Sequence, residues 1–189
     1  MSKNYQLTKQ LATRIVADIK TAANADANVI GENGLILASF DASRVGTIHE
    51  GGKRIMNGEV DEIAISIDMA ATMQGTRPGY NGIVKIDGQR VAVIGIRGDP
   101  ETVKPIQKLA ELTLREELRR ESEIRHEREI VRSMEEKIMD IAERMKVLAL
   151  NGSIQAAKIG ERGQSFKIVV AEMRKLAEQI NEVITHIKL

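Results

Sequence analysis

Val169, Met173, Leu176, Ile180, Val183 and Ile187 alternate steps of four and three residues without interruption. That spacing is the heptad pattern of a helix that buries one narrow stripe against another helix. A second stripe lies upstream, where Ile124, Val131, Ile138 and Met145 fall seven apart and Met134, Ile141 and Leu148 follow three residues after their neighbours. Between the stripes lies "IGERG", a glycine-punctuated polar knot centred on Glu161-Arg162. Two seams joined by such a knot predict an antiparallel helical hairpin with its tip near residues 160–165. Folding the chain there brings Leu189 back about as far as Met134. From Arg115 to Glu129 only Leu118 and Ile124 are apolar, and this neck is expected to pair weakly with a second copy of the chain. A lone two-helix hairpin would leave apolar surface uncovered, so the expectation is a homodimer.

Upstream of Asp99-Pro100 the composition changes to glycine-rich, hairpin-forming sequence. Leu11, Ile15 and Ile19 mark an amphipathic helix over about Thr8 to Ala23. "ANVIGENGLILASF" reads as two short strands around Glu32-Asn33-Gly34, and "GYNGIVKIDGQRVAVIGIRG" as a longer hairpin turning at Asp87-Gly88. Between them a short helix is expected over roughly Glu50 to Asn57. The fold class is therefore α+β: a PAS-like antiparallel-sheet sensor domain over residues 1–103, followed by an all-α coiled-coil hairpin over residues 104–189, with Pro105 in the first turn of its long helix.

Charge and composition narrow the function. Among 189 residues, 28 are basic and 27 acidic, so no global field recruits nucleic acid or a membrane surface. Aromatics are only 2%, too few for a base-stacking platform, and no apolar run approaches membrane-spanning length. Cysteine is absent, which fits a reducing cytosol, and a cytoplasmic location is expected. No cofactor or metal site is expected. His49 lacks an evident catalytic partner and "GENG" lacks the lysine and hydroxyl of a phosphate-binding loop, so an enzyme is the least favoured reading.

Chemistry points instead to an anion pocket. Arg44 and Arg77 can each fork two N–H groups onto a carboxylate. Thr47, His49 and Asn81 can hydrogen-bond hydroxyls or carboxylates, and Gly46 and Gly79 are expected to let the backbone approach a ligand.

Two resemblances accompany these readings. "LALN" at Leu148–Asn151, Ala156-Ala157-Lys158, Gly160-Glu161, Gly163, Phe166, Val169, Glu172 and "RKLA" at Arg174–Ala177 resemble the cytoplasmic tip of methyl-accepting chemotaxis receptors. The resemblance implies a dimeric four-helix bundle whose tip engages a histidine kinase and a coupling adaptor, presented here by Asn151, Gln155, Lys158, Glu161, Arg162, Phe166, Glu172 and Arg174. The sequence departs from that pattern at Gln155, Gln164-Ser165 and Met145-Lys146, which makes a scaffold with a silent tip the alternative. Over residues 7–115, "GENGLILAS", "SRVGTIHEG" and "RPGYNGIVKIDGQRVAVIGIRGDPETVKP" resemble the sugar diacid recognition domain of bacterial carbohydrate-diacid regulators. That resemblance implies a small sugar-derived acid or diacid as ligand.

Overall fold

A computed structural model describes residues 5–187, with side chains through residue 186. The chain divides into two compact units, Met1–Ile124 and Arg125–Leu189.

The first unit opens with α1 (Lys9–Ala23), whose N-cap Thr8 accepts a hydrogen bond from the Leu11 amide at 3.2 Å. Such a cap satisfies one of the orphan amides of the first turn. Strands β1 (Ala27–Ile30), β2 (Ile36–Ser39), β3 (Glu62–Ile65), β4 (Gly79–Ile86) and β5 (Gln89–Arg97) form an antiparallel sheet ordered β2-β1-β5-β4-β3. The β4–β5 turn places Asp87 at φ 49° and Gly88 at φ 83°, the left-handed pair that a two-residue hairpin needs. The β1–β2 connection is longer than a tight turn. Asn33 and Gly34 do adopt positive φ, but inside a 3₁₀ turn closed by the Gly31 amide donating to the Leu35 carbonyl.

Alternation along the strands separates two cores. Val29, Tyr80, Val84, Ile86, Ile94 and Ile96 face α1 and the start of a long helix, α4 (Pro100–Ile159), while Ile30, Ile36, Ile83 and Val93 face α2 (Glu50–Met56) through Ile55. The α+β class expected from the sequence is the observed one. Three local expectations are corrected. Helix α4 begins at Pro100 rather than near Lys104: Asp99 accepts from the Thr102 amide at 3.2 Å as a cap, and Pro100 takes the first helical position, where a missing N–H is harmless. Pro105 consequently lies beyond the first turn. Strand β3 and the short α3 (Ile67–Thr72) were not anticipated; α3 buries none of its residues, so it writes no periodic pattern. The neck from Arg115 is also not free along its length. Leu114 and Leu118 are fully packed in the core of the first unit, each contributing about 1.5–3 kcal/mol, and Glu117 pairs with Arg14 at 2.7 Å.

In the second unit, α4 reverses through a 3₁₀ turn, Gly160–Gly163, into α5 (Gln164–Ile187), as the polar knot predicts. The contact stripe is a different one. The buried residues are Ala142, Ala149 and Ala156 on α4 with Val170, Ala177 and Ile184 on α5, and a Cβ at Gly152 would press on the Val170 side chain at 2.7 Å. Small side chains let the two helix backbones approach closely. The large residues of the sequence seams stay exposed instead, Ile141 at 54%, Leu148 at 59% and Leu176 at 44%, with Met145, Met173 and Ile180 half-buried at the margin. The Ile187 side chain and Leu189 lie outside the described residues. No helix among the described residues is long and apolar enough to cross a membrane.

Candidate functional site

The α2-facing side of the sheet carries a polar row amid its apolar residues. Asn28 pairs with Gly95 across β1–β5, and Gly95 pairs with Asn81 across β5–β4, so three strands contribute neighbouring positions on one face. Gly95 gives the row its depth, because a Cβ there would collide with the Asn81 side-chain oxygen. Asn28 and Asn81 are both buried, and with His49, Arg44, Arg77, Gly95, Ile96 and Arg97 they line one pocket.

His49 enters from the loop before α2 and caps that helix. Its Nδ1 accepts the Gly52 amide at 3.0 Å, which leaves the Nε2 proton as a donor in the neutral ring. Only 2% of the residue is exposed. Burial, reinforced by the adjacent Arg44 charge, pushes its pKa down to about 4, so His49 is a neutral donor at physiological pH.

Arg44 ends the 3₁₀ turn Ala42–Arg44 and donates to the Gly75 carbonyl. Burial lowers its pKa first, and the neighbouring Arg77 and Arg97 charges lower it further against the support of Asp41. Arg77 pairs with Asp41 at 2.8 Å, whereas Arg97 has its carboxylate, Asp26, no nearer than 3.9 Å. Three guanidinium groups thus converge where two carboxylates answer them, a local excess of positive charge. The free space inside the pocket is about 10 Å³, the room of one water. An open cleft of about 350 Å³ shares Arg44 and Arg77 and adds Ser43, Thr47, Ile48 and the Gln74–Thr76 loop.

The structure therefore brings Arg44, His49, Arg77 and Asn81 together. Thr47 borders the open cleft, its hydroxyl donating to the Arg44 carbonyl at 2.7 Å. Gly46 and Gly79 line neither space: Gly46 turns the chain at φ 84°, and Gly79 lies so close to β5 that a Cβ would strike the Ile96 carbonyl oxygen. Asn28, Gly95 and Arg97 escaped sequence reasoning; the one available signal was a lone asparagine inside the apolar run "ANVI". At the other end of the chain, Asn151, Gln155, Lys158, Glu161, Arg162, Phe166, Glu172 and Arg174 are all exposed about the hairpin tip, with Arg174 paired to Glu178 at 3.2 Å.

A cationic pocket on an antiparallel sheet, in a chain that also carries a helical hairpin, is the build of a modular regulatory protein. Residues 7–141 match the sugar diacid recognition family, and the chain belongs to that family. Residues 104–189 match the methyl-accepting chemotaxis protein signalling domain. Among curated proteins, the carbohydrate diacid regulator of Escherichia coli is 31% identical over 110 residues, covering 58% of this chain and 28% of that protein. The methyl-accepting chemotaxis protein McpC of Bacillus subtilis is 52% identical over 42 residues, covering 22% of this chain and 6% of that protein. The Frizzy aggregation protein FrzCD of Myxococcus xanthus is 45% identical over 53 residues, covering 28% and 13%. The chain spans less than a third of the length of these relatives.

Proposed function

We propose that this chain is a cytoplasmic, non-enzymatic sensor: residues 1–103 bind a small sugar-derived carboxylic acid, and residues 104–189 carry the bound state to a histidine kinase or its coupling adaptor. The observation that carries the reading is the pocket itself, where Arg44, Arg77 and Arg97 surround buried hydrogen-bonding groups from His49, Asn28 and Asn81. Guanidinium groups suit carboxylates, and neutral donors and acceptors suit the hydroxyls between them. A route to the signalling helix is also at hand. Asn81 faces the pocket, while its neighbour Gly82 faces the other side of β4, where a Cβ would meet the Gln107 side chain of α4 at 2.5 Å. A ligand that shifts β4 therefore presses on α4 directly, and the bound state biases one of two arrangements of the helices downstream. The chain acts as a homodimer, because the seam residues Ile141, Leu148 and Leu176 need a partner.

A thermal-shift screen of glucarate, galactarate and glycerate against neutral sugars tests the ligand. An acid at a hundred times its dissociation constant adds ~2.7 kcal/mol, raising the melting temperature by roughly 5–10 °C for a chain of this size. The shift is expected to disappear in Arg44→Ala and in Arg77→Ala. Equal shifts from neutral sugars, or an undiminished shift in both variants, contradict this assignment.

One observation favours a second reading, a ligand-binding scaffold with a silent tip: the departures from the receptor pattern at Gln155 and Gln164-Ser165 fall beside the exposed tip surface.

A further inference from the structure

In the structure, Arg77 at the mouth of the pocket is already holding a carboxylate. Asp41 is an unusual surface acid because it is fixed from behind: its Oδ1 accepts the Ser43 hydroxyl at 2.6 Å and the Ser43 amide at 3.2 Å, anchoring it as the cap of the turn that carries Arg44. Its Oδ2 is left facing Arg77, which donates to it at 2.8 Å. The Ser43 hydroxyl, followed by the Arg77 bond, lowers the Asp41 pKa, so the carboxylate is charged at any pH near neutrality. The pocket behind the pair meanwhile has room for a single water. An arginine occupied by an anchored internal acid, beside an interior with room for one water, describes a closed inner pocket, while the open cleft of about 350 Å³ that shares Arg44 and Arg77 remains accessible.

We propose that Asp41 is an internal substitute for the ligand's carboxylate, holding Arg77 while the site is empty and giving it up when an acid binds. This rests on reading the pocket as a carboxylate site. Two consequences follow from the exchange. Because one charge-assisted bond replaces another, the exchange at Arg77 lowers the net gain, and selection falls on acids whose second carboxylate or hydroxyls reach His49, Asn28 and Arg97. Arg77 itself stays indispensable, because without it the Asp41 carboxylate is left unpaired and repels the incoming acid. Release of Asp41 also frees the turn Ala42–Arg44 from Arg77, so occupancy is registered by a segment that holds the Gly75 loop through Arg44. A guanidinium has five N–H donors, and the rival arrangement is one in which Arg77 keeps Asp41 and binds the ligand through the others, with Asp41 as an orienting partner.

The substitution Asp41→Asn separates the two. Asparagine keeps an oxygen for the Ser43 amide and hydroxyl, preserving the turn, but removes the charge that competes for Arg77. Calorimetric titration with galactarate, glucarate and glycerate is expected to give at least 10-fold tighter binding in the variant than in the wild type. In the wild-type protein, the Asp41 carboxyl carbon followed by NMR is expected to titrate at higher pH when saturated with the bound acid, because Arg77 has left it while Ser43 remains. Equal or weaker binding in Asp41→Asn, or an unmoved Asp41 titration in a protein that binds the acid, overturns the proposal and leaves the carboxylate site standing. Absence of binding to both proteins overturns the carboxylate site itself, and the role of Asp41 with it.

Discussion

Lowering the pH from 6.5 to 4 is expected to remove roughly 3 kcal/mol of stability through His49 alone. The sign follows from proton counting. Its folded-state pKa is about 4 against 6.5 for the free side chain, so between those values the unfolded chain binds a proton that the folded chain refuses. Stability from this residue is therefore complete above pH 6.5 and is lost progressively as the pH falls toward 4. The physical origin is burial beside Arg44, with Nδ1 committed to the Gly52 amide. Denaturant unfolding of the wild type and of His49→Asn at a series of pH values isolates the effect. Asparagine can still accept the Gly52 amide as a helix cap but does not titrate, so the wild-type curve is expected to fall more steeply than the variant's across this interval. Parallel curves would mean that His49 is solvated and free to take up a proton.

Charge placed on the exposed seam of the hairpin is expected to separate the dimer while leaving the hairpin intact. Light scattering should report about twice the 20.9 kDa chain mass for the wild type and the chain mass for Ile141→Glu combined with Leu176→Glu. Each of these side chains is about half exposed, so covering it in a partner contributes about 1 kcal/mol per chain, and a buried unpaired carboxylate costs more than that. The combined loss amounts to at least a 100-fold weaker association. Helicity should be retained, because the hairpin's own contact is the alanine stripe of Ala142, Ala149 and Ala156. A wild-type monomer at micromolar concentration would contradict the paired-hairpin arrangement.

The two seams explain what the sequence could and could not disclose. Large aliphatic residues dominate a heptad pattern, so Ile141, Leu148 and Leu176 were legible while the alanines that join α4 to α5 were not; alanine contributes little to a hydrophobic signal and is at home on any helix face. Element existence was readable where local chemistry dictates it, as in the Thr8 cap of α1 and the Asp87-Gly88 turn. It was unreadable for β3 and α3, which bury a single residue between them and so write no periodic pattern. In the pocket, the residue types most suited to a carboxylate, Arg44 and Arg77, could be picked out individually. Asn28, Gly95 and Arg97 could not, because the row they complete exists only through strand register. Gly79 shows the converse difficulty: a glycine required by the Ile96 backbone cannot be told by sequence from one that admits a ligand.

Occupancy of the pocket is expected to reach the hairpin tip. A reconstituted assay with a chemotaxis histidine kinase and coupling adaptor, run with and without the acid that stabilises the protein, measures this in one step. The expected result is a kinase rate that changes on adding the acid and no longer changes in Arg77→Ala. A protein that binds both acid and adaptor, yet leaves the kinase rate the same with the acid present or absent, would contradict it.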